Sequence, residues 1–204
     1  MMNLAETTKS YSQPRKTVGD FHKTIAVVDT LFTQEEIQKY YDNAISNADS
    51  LSKKTWVREI WEKVSTDDLK PLSIDVISHT SGQVDDIHIG GLISDEYIII
   101  VHLTPDMQPE DASTIEFWTP NVIAESKEIA QNTPFGSSNH REHSKDIVAS
   151  YWPKPGRMII FDARIPHVVR ALHPTSEKTR VSLVFKASSS TKMSDNDWIN
   201  NAVI

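Results

Sequence analysis

The chain has 204 residues, enough for one domain with a sizeable core, and its formal net charge of −7 offers no basic field for nucleic acid. It contains no cysteine, so disulfides and thiolate-held zinc or iron–sulfur sites are excluded, and any transition metal must be held by His, Asp and Glu. No run approaches the roughly 20 apolar residues of a membrane span, and the first residues lack the apolar stretch of a secretory signal. A cytoplasmic protein is the expectation.

Residues 1–20 are polar and read as a flexible N-terminal arm. Residues 21–187 read as a single domain. "TIAVVDTLF" (24–32) is a short apolar strand. In "TQEEIQKYYDNAIS", Thr33 and Glu36 form a capping box, and Ile37, Tyr40, Tyr41, Ala44 and Ile45 recur at helical spacing. Trp56, Val57, Ile60, Trp61 and Val64 favour a second helix over a strand. From about residue 72 the texture changes. "LSIDVISHT", "DDIHIGG", "EYIIIVHLT", "STIEFWT", "RMIIFDA", "HVVRAL" and "RVSLVFKA" are short, β-branched and bounded by turn residues. Helices followed by many strands predict a mainly β fold with flanking helices, a sandwich or jelly roll. Residues 121–150 read as a long polar insertion, and residues 188–204 as a polar C-terminal tail.

Alternation in "TRVSLVF" puts Arg180, Ser182 and Val184 on one face and Val181, Leu183 and Phe185 on the other. A guanidinium fork with a hydroxyl two residues on suits the carboxylate of a small ligand. Taken alone, the pattern also suits a surface arginine on an edge strand. Two histidines precede it on predicted β-structure, His88 and His167. Either alone is ordinary core material; the order His, His, Arg with a companion Ser is less so.

"PKPGRMIIFDARIPHVVRAL" followed by "TRVSLVFKA", with "EYIIIVHLTPD" before it, resembles the iron(II)- and 2-oxoglutarate-dependent oxygenases, in particular their prolyl-4-hydroxylase-like branch. The likeness spans about Leu72 to Ala187. It implies a double-stranded β-helix, a cupin-like jelly roll. It further implies that His88 and His167 bind iron(II), that Arg180 and Ser182 bind 2-oxoglutarate, and that dioxygen takes a remaining coordination position. The reaction class would be oxidation of an unactivated C–H bond of a small-molecule substrate.

The family's early motif is H-x-D, and here the acid is replaced by Gly90. Three readings follow. Chloride fills the vacancy, as in the iron/2-oxoglutarate halogenases that carry Gly or Ala at this place; this is the preferred reading. Alternatively another carboxylate ligates iron and the enzyme is a hydroxylase, with Asp86 first, then Asp85 or Glu116. As a third reading, metal chemistry is absent and the barrel is a cupin-like binding module. His102 stands where the family often has an aromatic, and is read as touching cosubstrate or substrate, or as a satisfied core histidine. Trp118 and Trp152 are candidates for substrate packing. His140, Arg141, His143 and Lys145 in the insertion hint at an anionic or polar substrate. Arg170 falls opposite His167 by alternation.

Overall fold

The computed structural model describes residues 25–46, 55–66, 69–83, 85, 87–91, 96–120 and 144–189. Eight strands and two helices account for most of them: β1 (Ile25–Val28), α1 (Gln34–Ser46), α2 (Thr55–Val64), β2 (Leu69–His79), β3 (Glu96–His102), β4 (Ile115–Pro120), β5 (Ser144–Tyr151), β6 (Met158–Asp162), β7 (His167–Val169) and β8 (Arg180–Ser189). A major sheet runs β1-β6-β3-β8-β2, and a minor sheet runs β5-β4-β7. All paired strands are antiparallel. The segment carrying His88 extends the minor sheet by a single antiparallel bridge to His167. Two facing antiparallel sheets with helices outside make the jelly roll that the sequence pattern predicts.

α1 begins as its sequence dictates. The Thr33 backbone N–H donates to Glu36 Oε2 at 2.9 Å, and the Glu36 N–H donates to Thr33 Oγ1 at 3.2 Å. α2 is helical, and Trp56, Val57, Ile60, Trp61 and Val64 form its buried stripe. Both helices lie on the outer face of the major sheet. There the odd-numbered residues of β3 and β8 (Tyr97, Ile99, Val101, Val181, Leu183, Phe185) join the helix faces in one core, with Trp61 and Phe185 rings 5.1 Å apart. A second core, between the sheets, comprises Ile98, Ile100, Ile115, Phe117, Ile159, Phe161, Ala163 and Ile165. β3 and β6 are buried on both faces, so they read as continuous apolar runs rather than alternating ones.

Pro155-Gly156 is the expected turn into β6. Gly156 has φ +71°, a conformation that glycine takes without a Cβ penalty, and a Cβ there would lie 2.6 Å from Ile37 of α1. One correction concerns the polar insertion: its end, from Ser144, is a strand of the minor sheet, paired with β4. The remainder of it, like residues 1–20 and most of the tail, lies outside the described residues. Among the described residues no helix is long and apolar enough to cross a membrane.

Phe185 is fully buried where β8 meets α2. Phe185→Ala is expected to lower the unfolding free energy by about 3–5 kcal/mol, read as a shift of the urea midpoint.

Candidate metal centre

His88 and His167 face each other because the backbone makes them. The His88 N–H donates to the His167 carbonyl at 3.0 Å, and the His167 N–H returns the bond to the His88 carbonyl at 2.9 Å. Directly opposed residues on antiparallel chains project to the same side. Their ring centroids are accordingly 4.4 Å apart. The His167 ring is walled by Phe161 at 4.8 Å and Phe117 at 6.2 Å. Its Nδ1 lies 2.9 Å from the Ile165 carbonyl, which can only accept, so Nδ1 carries the hydrogen and Nε2 keeps its lone pair. Burial, with repulsion from His88 behind it, pushes the His167 pKa down to about 3. A neutral imidazole with one nitrogen tied to a carbonyl is the form that binds a metal.

The major sheet supplies the opposite wall. Its inner face reads as rows across β3, β8 and β2. Ile98, Lys186 and Ser73 make one row, and Ile100, Val184 and Asp75 the next. His102, Ser182 and Ile77 follow, and Arg180 pairs with His79 at the end. Alternation on β8 is therefore as predicted: Arg180 and Ser182 turn inward, and Val181 and Leu183 join the helix-side core. Arg180 is buried. One terminal nitrogen donates to the Ser113 carbonyl at 2.9 Å and to Ser113 Oγ at 3.2 Å. Its Nε has no partner among the described residues. Burial lowers its pKa to about 10 against the pull of Asp85, so it stays charged at neutral pH.

His102 sits behind Ser182 rather than on the cavity wall, with Nδ1 3.0 Å from Ser182 Oγ. Burial, and then the Arg180 and Arg157 charges, hold its pKa well below the usual histidine range. His102 Nε2 and His79 Nδ1 are, like Arg180 Nε, buried without a hydrogen-bond partner among the described residues. The three lie at one end of the barrel.

A cavity of about 350 Å³ joins these walls, lined by His88, Gly90, His167, Arg180 and Ser182 together with apolar Ile77, Ile98, Ile100, Val169 and Val184. The two imidazoles and the guanidinium thus open into one space. Trp118 and Trp152 do not line it; they lie against the guanidinium groups of Arg170 and Arg157 instead.

Among the described residues no three His, Asp or Glu side chains are grouped to hold a metal. Gly90 contributes no side chain, and a Cβ there would meet Ile98 Cγ1 and Cδ1 at 2.8 Å. Of the carboxylates considered as replacements, Asp85 is hydrogen-bonded to His79 Nε2 at 2.9 Å. Glu116, of the parity opposite to Phe117 on β4, pairs at 2.7 Å with Arg170, the residue that follows β7. Asp86 lies outside the described residues, as do His140, Arg141 and His143, and the Lys145 side chain. His79, Ile98 and Ser113 complete the site without being singled out in the sequence, and Asp85, read there as a stand-in ligand, sits against His79. For His79 a signal existed: it shares the period-2 face of Ser73, Asp75 and Ile77.

No protein-family model and no curated protein sequence matches the chain. Solved structures do. The non-heme alpha-ketoglutarate-dependent epimerase SnoN superposes with a TM-score of 0.58 at 11% identity, covering 91% of this chain and 84% of that one. HygX from Streptomyces hygroscopicus, solved with nickel and 2-oxoglutarate bound, gives 0.55 at 12% identity, covering 89% and 91%. A prolyl-4-hydroxylase from Pseudomonas putida gives 0.54 at 10% identity, covering 92% and 99%. At these identities the likeness is one of fold, and the fold of this chain is the jelly roll shared by these enzymes.

Proposed function

We propose that the chain is a non-heme iron(II)- and 2-oxoglutarate-dependent oxidoreductase, with His88 and His167 as its metal-holding side chains. The observation that carries the reading is two opposed imidazoles and a buried, incompletely paired guanidinium opening into one cavity. The donor set fits the groups. Neutral imidazole suits iron, and a buried cation with an unsatisfied N–H calls for an anion. An anion in the cavity would complete the pairing of Arg180 Nε, which is left open among the described residues. The two opposed imidazoles that open into the same cavity favour the enzyme over the cupin-like binding module.

Arg180 would take the far carboxylate of 2-oxoglutarate, with Ser182 as a hydroxyl beside it and His102 orienting that hydroxyl from behind. When bound, iron(II) and 2-oxoglutarate supply the activation of dioxygen that oxidises a substrate C–H bond, while the cosubstrate is oxidised to succinate and carbon dioxide. The chain's own part is placement. The Ile165 carbonyl fixes the tautomer of His167, Ser113 fixes the guanidinium, and Ile98, Ile100, Val169 and Val184 keep water from the site. The substrate would enter past Ser73, Asp75, Ile77 and Lys186, a rim carrying both charge signs.

We favour the halogenase form, with chloride as the anion that Gly90 does not provide. Its support is that no carboxylate is grouped with His88 and His167 among the described residues, and that Asp85 and Glu116 are engaged elsewhere. The hydroxylase form needs a carboxylate on the metal, and Asp86 is its remaining candidate.

The purified chain, given iron(II) and 2-oxoglutarate without oxygen, is expected to develop a weak visible charge-transfer band. His88→Ala and His167→Ala should abolish it, and a band that survives both would overturn the assignment. Arg180→Leu is expected to weaken 2-oxoglutarate binding by about 1.5–3 kcal/mol, roughly 10- to 150-fold, in the same titration. Bromide in place of chloride should shift the band in the halogenase and leave it unmoved in the hydroxylase.

Acid has a defined effect on the metal-free chain. His167 titrates near 3 when folded and near 6.5 when unfolded, and His102 is shifted in the same direction. Between these values the unfolded state binds more protons, so acid favours it. Stability contributed by the neutral rings is present above pH 6.5 and is lost as pH falls toward 3. Melting temperatures between pH 7.5 and pH 5 are expected to fall, and to fall less steeply in His102→Gln.

A further inference from the structure

We propose that Ile98, and not the absence of a side chain at Gly90 alone, keeps a third carboxylate ligand off the metal. The inference rests on the reading that His88 and His167 hold that metal.

The backbone at Gly90 does not itself require glycine. Positive φ among the described glycines is confined to Gly82 and Gly156, so an L side chain at position 90 meets no backbone strain. What it meets is Ile98. An ideal Cβ at Gly90 lies 2.8 Å from both Ile98 Cγ1 and Ile98 Cδ1, well inside the ~3.5–4.0 Å at which carbon atoms rest against each other. The next contact, the Ala163 carbonyl at 3.6 Å, is ordinary. An aspartate would add a carboxyl group beyond that Cβ. The obstacle is therefore one side chain.

That side chain borders the cavity, but its χ1 choice and its strand are constrained. Ile98 is on β3, the middle strand of the major sheet, with Phe161 of β6 and Lys186 of β8 as its cross-strand partners. It is 6% exposed and packs in the core between the sheets. β-branching leaves it few χ1 options. Gly90 is anchored in turn: its N–H donates to the Ala163 carbonyl at 2.7 Å. Two elements fixed by their own hydrogen bonds meet at this contact, so relief by backbone movement is opposed on both sides. The space beside Gly90 is thus taken by Ile98, and position 98 decides which ligand set the barrel can hold.

The test is a double-mutant cycle on metal affinity, independent of turnover. Cobalt(II) is titrated into the metal-free chain with visible absorption as the readout, for wild type, Gly90→Asp, Ile98→Ala and Gly90→Asp/Ile98→Ala. Gly90→Asp alone is expected to stay within about threefold of wild type. The double variant is expected to bind cobalt(II) at least tenfold more tightly than wild type, with altered band intensity from the added oxygen ligand. Equal tightening by Gly90→Asp alone would overturn the inference, and so would a double variant no tighter than wild type. Cobalt(II) binding to wild type that persists in His88→Ala would overturn the underlying metal assignment and the inference with it. Should the alanine variant fail to fold, Ile98→Val serves in the same cycle, read by melting temperature. Valine removes Cδ1 and keeps Cγ1, so the loss caused by Gly90→Asp is expected to be partly reduced in the Ile98→Val background, and an equal loss in both backgrounds would overturn the proposal.

Discussion

The site depends on one pair of backbone hydrogen bonds, those exchanged by His88 and His167. They form no ladder; the bridge stands alone at the edge of the minor sheet. Yet it sets the distance between two side chains 79 positions apart in the chain without asking either ring to find the other. Directly opposed residues share a face, so the rings come together as a consequence of register. Aromatic neighbours and the Ile165 carbonyl then fix the orientation of one of them.

The major sheet carries two cores on its two faces, and this division is what lets a polar cavity exist inside a small protein. Odd residues of β3 and β8 bond the sheet to the helices and supply most of its apolar burial. Even residues are thereby released from that duty and can be Arg180, Ser182 and His102. A buried arginine weakens a fold unless it is paired. Here its pairing is incomplete among the described residues, and the proposed cosubstrate carboxylate would complete it.

Much of this is legible in the sequence, and for identifiable reasons. The inward set on β8 follows from strict alternation, and α1 from its capping box and apolar spacing. The two histidines and the arginine stand out by their order on β-structure. β5 does not, because its residues Ser144–Tyr151 begin with a polar run, lack alternation, and pair at the edge of the minor sheet, where apolar patterning is weak. Ser113 touches the site through a loop, which carries no periodicity to read. The relation between Gly90 and Ile98 is a distance between two segments of different sheets, and no spacing along the chain expresses it.

Ser113 and its neighbour Ala112 both have positive φ, 63° and 60°, conformations that non-glycine residues hold at a cost of order 1–3 kcal/mol each. That conformation sets the carbonyl and hydroxyl that grip Arg180. The guanidinium is thus held in place by the fold itself. Ordering a rotamer-rich side chain on binding usually takes about 0.5–1.5 kcal/mol, and under the proposed function this charge would be spared it, because the loop orders it during folding.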